Sequence, residues 1–161
     1  MKKVIYLLIL MLPFPVFADL NENWKRDAIK AVEKVPKMYA SYIDEAAWKY
    51  EVSHSFITTV IVVESLGEVN AVSSSGAKCL MQTKDFIGKE VGMPGNSCNP
   101  RESIMRGTAY LARMRDVYGY DWVEGMAVAY SDGWKRTKRY NVKKILNHPY
   151  VEKMNFVLKH L

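Results

Sequence analysis

Apolar residues recur along nearly the whole chain at intervals of three and four, the period of a helix with one buried face. Residues 21–33 read as a short, polar-faced helix that Pro36 ends. Tyr39, Ile43, Ala46, Ala47 and Tyr50 form the next stripe. Ser53 and Ser55 are candidate caps for a third helix, whose stripe is Ile57, Val60, Ile61 and Glu64. Residues 66–98 lose the period and are rich in glycine and serine, so they read as a long loop region with room for short strands. Asn99-Pro100 then opens a helix carried by Ile104, Thr108, Leu111 and Met114 and ended by Gly119. Asp121 with Glu124 resembles a capping box for a helix reaching about Tyr130. A basic helical segment follows, "WKRTKRYNVKK" over 134–144, and Pro149 starts a last helix. The expected fold is one mostly α domain.

One residue breaks the pattern. Glu64 is the carboxylate on an otherwise apolar stripe, in the last turn of its helix. Desolvation disfavours its anion, and the negative end of the helix dipole repels it, so both effects raise its pKa, toward about 6. A carboxyl still protonated near neutral pH can donate a proton to a leaving group. Gly67 ends the helix and opens the surface just beyond the acid. The structural alternative is a carboxylate at the edge of the core, paired with a lysine or arginine.

Composition adds a compartment. The chain has 161 residues, 49% of them hydrophobic, which suits one domain with a sizeable core. Lys2-Lys3, the apolar run Val4–Val16 and the small residues up to Ala18 have the three-part form of a secretory signal. Residues 1–18 are therefore expected to be removed, leaving 19–161 as an exported working domain without a stable membrane anchor. The formal charge of +6 falls to +4 once Lys2 and Lys3 leave. That balance fits an anionic partner such as a cell-wall polymer or a membrane surface, with export arguing against nucleic acid; taken alone, it reads first as a charge that aids solubility. Cys79 and Cys98 are the only cysteines, and in an exported chain an even count reads as a bridge, with two separate thiols as the alternative. The histidines at 54, 148 and 160 show no metal-ligand spacing with them.

Residues 64–82, "ESLGEVNAVSSSGAKCLMQ", resemble the signature of the soluble lytic transglycosylases, a lysozyme-like family that cleaves peptidoglycan. The family writes Glu-Ser, a short gap, Asn-Ala, Ser and then Gly-Ala-x-Gly-Leu-Met-Gln. Here those positions are Glu64, Ser65, Asn70, Ala71, Ser73, Gly76, Ala77, Leu80, Met81 and Gln82. "NPRESIMRGTAYLARM" looks like its Asn-Pro, Ile, Gly and Tyr-Leu helix, "AVAYSDG" like its Ala-Tyr-Asn-x-Gly, and "NFVLKHL" like its closing Tyr-Val-x-Lys-Val-Leu helix. The resemblance implies a lysozyme-like α domain with a short loop or β region beside the cleft, and no metal or cofactor. It implies one catalytic residue, Glu64, first acid and then base, cutting between N-acetylmuramic acid and N-acetylglucosamine to leave a 1,6-anhydro end.

Other roles follow from the same resemblance. Ser65 and Tyr130 are expected to hydrogen-bond around Glu64; Met81, Gln82 and Ser73 to line the groove; and Tyr110 to pack or stack at its floor. Two departures matter: Cys79 replaces the family's glycine, and Ser131 its asparagine. A Cys79–Cys98 bridge would impose the backbone that glycine permits. The same-chemistry alternative is a muramidase that uses water, with Glu68 or Asp132 as a second carboxylate. A different class is a non-catalytic wall-binding assembly protein. The expected partners are glycan strands and, by likeness to small specialised enzymes of the family, a secretion, conjugation or pilus apparatus.

Overall fold

The computed structural model describes residues 20–95, 98–119 and 122–161, so residues 1–18 lie outside it. Eight helices are named among them: α1 Glu22–Tyr50, α2 His54–Ser65, α3 Asp85–Glu90, α4 Pro100–Tyr118, α5 Val123–Asp132, α6 Trp134–Thr137, α7 Val142–Leu146 and α8 Pro149–Leu158. The described residues are mostly helical and gather around one main core, with a small second cluster of Val128, Ile145 and Val151.

α2 is the centre of that core. Every residue from Phe56 to Val63 is buried, because α1 and α8 cover it from different sides. Ser53 caps it, accepting from the Phe56 amide, and a left-handed Leu66 closes it by donating to the Val62 carbonyl. Glu64 therefore sits in the last turn, where the helix meets the loop region.

Pro36 does not end the first helix. α1 runs through it, and the backbone departs from helical geometry only at Tyr39 (φ −122°, ψ 16°). Proline removes one amide and crowds the preceding turn, which kinks a helix when packing holds both sides together. Here Ala28, Ala31, Val32 and Val35 before the kink, and Tyr39, Ile43, Ala46 and Ala47 after it, are all buried. Burial on both sides outweighs the local break.

The loop region carries no named strand among the described residues, only isolated antiparallel bridges, Val72 with Lys78 and Lys78 with Thr83. Cys79 and Cys98 are bridged, with sulfurs 2.02 Å apart. The bond ties this loop to the start of α4, whose cap Asn99 accepts from the Glu102 amide. Gly107 on α4 lets the loop settle directly on the helix: a Cβ there would lie 2.5 Å from Cβ and Sδ of Met81. The Asp121 of the expected capping box lies outside the described residues; α5 opens at Val123 without a side-chain cap. Cap residues Asn141 and His148 start α7 and α8.

Candidate active site

Glu64 lines the floor of a cleft of about 310 Å³, between the 73–84 loop and the end of α5. The same carboxylate also lines a second hollow on its other side, with Trp24, Asn70 and Lys153. It thus stands near the middle of a longer groove.

Its chemistry follows from its surroundings. Burial pushes the Glu64 pKa up to about 7, against the opposing effects of a hydrogen bond from Tyr150 and the charge of Lys153. Desolvation thus dominates, as the position on an apolar stripe predicts. The Tyr150 hydroxyl donates to Oε1 at 2.7 Å. The phenol cannot release its own proton near neutral pH: burial, and then the neighbouring Glu64, raise its pKa well above the usual value. Glu64 is a carboxyl that exchanges a proton near neutrality and is aimed by a fixed donor.

Two expected contacts are corrected here. Tyr130 donates to the Met81 carbonyl at 2.7 Å, not to Glu64. It still faces the cleft, and its ring lies 5.4 Å from that of Tyr110. Ser65 does not bond to Glu64 either. Adjacent helical residues point about 100° apart, so the Ser65 hydroxyl turns inward, donating to Leu80 O at 2.8 Å or Ile61 O at 3.1 Å and accepting the Gly67 amide. It fastens the end of α2 to the Cys79–Gln82 turn.

The groove residues divide. Met81 is fully buried and fills the gap left by Gly107, so its side chain belongs to the core. Gln82 lines the cleft beside Glu64, with its amide donating to Ala71 O and Cys79 O. Ser73 also lines the cleft, accepting the Ala77 amide. Tyr110 is buried at the floor, and burial raises its pKa to about 12. Glu68 is exposed on the outer hollow. Asp132 lines the cleft but accepts the Tyr140 hydroxyl at 2.7 Å and lies 3.5 Å from His148 Nε2.

Tyr150 is the residue that sequence reasoning missed, and two signals point to it. Tyr150, Met154 and Val157 form a buried stripe on α8. The closing Tyr-Val-x-Lys pattern, expected at 155–161, is also carried more literally by Tyr150-Val151-Glu152-Lys153. Removing only the hydroxyl, by Tyr150→Phe, is expected to lower turnover at least tenfold, since hydrogen bonds to charged groups contribute about 1.5–3 kcal/mol. That bond favours the anion, so its loss raises the Glu64 pKa, and the fall of activity with rising pH moves to higher pH. A pH–rate profile checks both. An unchanged profile would make Tyr150 a packing residue only.

Comparison with known proteins points to one family. The family model for the transglycosylase SLT domain matches residues 41–146. Membrane-bound lytic murein transglycosylase C of Klebsiella pneumoniae (strain 342) is 34% identical over 97 residues, 54% of this chain and 27% of that protein. Membrane-bound lytic murein transglycosylase E of Buchnera aphidicola is 32% identical over 108 residues, 61% of this chain and 50% of that protein. The chain thus spans half or less of the length of these relatives. Among solved structures, an inactive Glu-to-Gln mutant of the lytic transglycosylase Slt from Pseudomonas aeruginosa superposes with a TM-score of 0.62 at 19% identity. The match covers 78% of this chain and 23% of that one. That likeness is one of fold. Trp24 and Lys153, which line the outer hollow with Glu64, and Tyr150, which bonds to it, lie outside the matched family segment.

Proposed function

The chain belongs to the transglycosylase SLT domain family, and on that premise we propose that it cleaves peptidoglycan as a lytic transglycosylase, with Glu64 as acid and base. The observation that carries this reading is the Glu64 carboxyl, at the floor of an open cleft with a pKa near 7 and a tyrosine hydroxyl on it. Protonated Glu64 gives its proton to the glycosidic oxygen between N-acetylmuramic acid and N-acetylglucosamine. The C1–O bond breaks and the glucosamine leaves as an alcohol. The Glu64 carboxylate, now stabilised by Tyr150, takes the proton of the muramyl C6 hydroxyl. The C6 oxygen bonds to C1, the 1,6-anhydro ring closes, and Glu64 is protonated again. A pKa near 7 suits a group that must act in both directions.

A hydrolase would use a second carboxylate to activate water or to attack C1. Among the described residues Asp132 is the other carboxylate lining the cleft, and its ties to Tyr140 and His148 support the single-acid reading. Tyr110, Gln82, Ser73 and Tyr130 are assigned to substrate contact on their place in the cleft. Ser65 and Met81 act there through the loop they hold. The reading includes export to the periplasm, where the polymer lies, and local opening of the wall for a secretion, conjugation or pilus apparatus. No helix among the described residues is long and apolar enough to cross a membrane.

Mass spectrometry of glycan digested by the purified domain tests the reaction. Ends lighter by one water than reducing ends are expected. Reducing ends would make it a muramidase, and intact glycan would leave a wall-binding protein. Failure of the apparatus to assemble in a Glu64→Gln strain tests the biological role.

A further inference from the structure

The basic segment at 134–144 is not used by the reaction above, yet the structure brings its first half alongside the cleft. Past Asp132 and Gly133 the cleft continues into an arm of about 510 Å³, which shares Phe86, Tyr110, Asp132 and Gly133 with the cleft itself. Arg113, Lys135, Arg136 and Arg139 line this arm against two carboxylates, Glu90 and Asp132. Both carboxylates are engaged already: Glu90 with Arg113 at 2.7 Å, and Asp132 with Tyr140. Lys135 lies over the Trp134 ring, 5.5 Å from its centre, and Arg139 makes no ion pair among the described residues. Phe86 is 60% exposed on the facing wall. The arm is thus cationic, flanked by two aromatic faces, and continuous with the glycan site.

The two sugars of the glycan carry no charge of their own; the anionic groups of the polymer are the carboxylates of the peptides on its muramyl lactyl groups. We propose that this arm receives the acidic stem peptide of a bound muramyl unit, with Lys135 and Arg139 as its carboxylate contacts. The inference rests on the glycan reading above. Continuity with the cleft favours a substituent of the bound strand over an acidic protein partner, which would need no such connection.

Binding of two soluble fragments separates these outcomes: a N-acetylglucosaminyl-N-acetylmuramic disaccharide with its lactyl group amidated, and the same disaccharide bearing an acidic tetrapeptide. Exposed charge pairs are individually weak, and two or three together correspond to about a tenfold preference for the peptide-bearing fragment. That preference is expected at low salt, shrinking as salt is added. It is expected to vanish in Lys135→Glu/Arg139→Glu and to persist in the charge-preserving Lys135→Arg/Arg139→Lys. Equal binding of the two fragments by the wild type would overturn the proposal and leave the arm to an acidic protein. A preference that survives charge reversal would overturn it too. Cleavage of whole sacculi by the wild type, read in parallel, judges the catalytic reading separately.

Discussion

Glu64→Gln is expected to lower glycan cleavage by about 10³-fold or more, since acid catalysis alone contributes about 10²–10⁴ and this residue also serves as base. The amide keeps the shape and can still accept from Tyr150, but it has no proton to deliver to the glycosidic oxygen. The same substitution is expected to stabilise the fold above neutrality. In the folded protein the Glu64 pKa is about 7, above the ordinary 4.5. Between those values the folded state holds a proton that the unfolded chain has released, so stability falls as pH rises through that window. Above pH 7 the accumulated cost levels off at up to about 3 kcal/mol, reduced by solvent in the cleft. The glutamine variant lacks this cost. Its melting temperature is expected to exceed that of wild type at pH 8 and to match it near pH 4. Activity within threefold of wild type on purified sacculi would sink the assignment of Glu64. Equal melting temperatures at pH 8 would show that its carboxyl is not desolvated.

The second large effect is on stability. Cys79 stands where the family has glycine, and its backbone is left-handed at φ 68°. A side chain at such a position costs on the order of 1–2 kcal/mol. The position is held nonetheless: its amide donates to Ala71 O, its carbonyl accepts from Gln82, and its sulfur is bonded to Cys98. The bridge closes a short loop, which corresponds to about 3 kcal/mol. Reduction is therefore expected to lower the melting temperature by roughly 10 °C. The double substitution Cys79→Gly/Cys98→Ser is expected to regain about 1 kcal/mol relative to Cys79→Ser/Cys98→Ser, because glycine adopts the left-handed backbone freely. Thermal unfolding of the four forms checks this. A melting temperature unmoved by reductant would assign the loop's hold to Gly107, Ser65 and Tyr130 instead.

Local pattern alone determined a good deal of this protein. Period and cap residues placed the start of α2 at Ser53 or Ser55, of which the structure uses Ser53, and that of α4 at Asn99, because a helix face and an orphan amide are each satisfied within a few residues. The same periodicity put Glu64 on the buried stripe, and desolvation then raised its pKa. Even the family was legible, since its glycines, serine and carboxylate lie in one short run. Other features depended on packing. Pro36 is a local helix breaker overruled by two buried half-stripes, an effect that appears only when α1 lies against its neighbours. Met81 is in the core because Gly107, 26 positions on, leaves a hole of its shape. The partner of Glu64 was decided at the longest range. Both Tyr130 and Tyr150 are buried tyrosines on apolar helical stripes, and neither stripe tells which hydroxyl reaches Glu64. Only the docking of α8 on α2 brings the Tyr150 hydroxyl to Glu64, while the Met81 carbonyl takes that of Tyr130. A hydrogen bond is satisfied within about 3 Å, a distance that sequence period constrains within one helix but not between two.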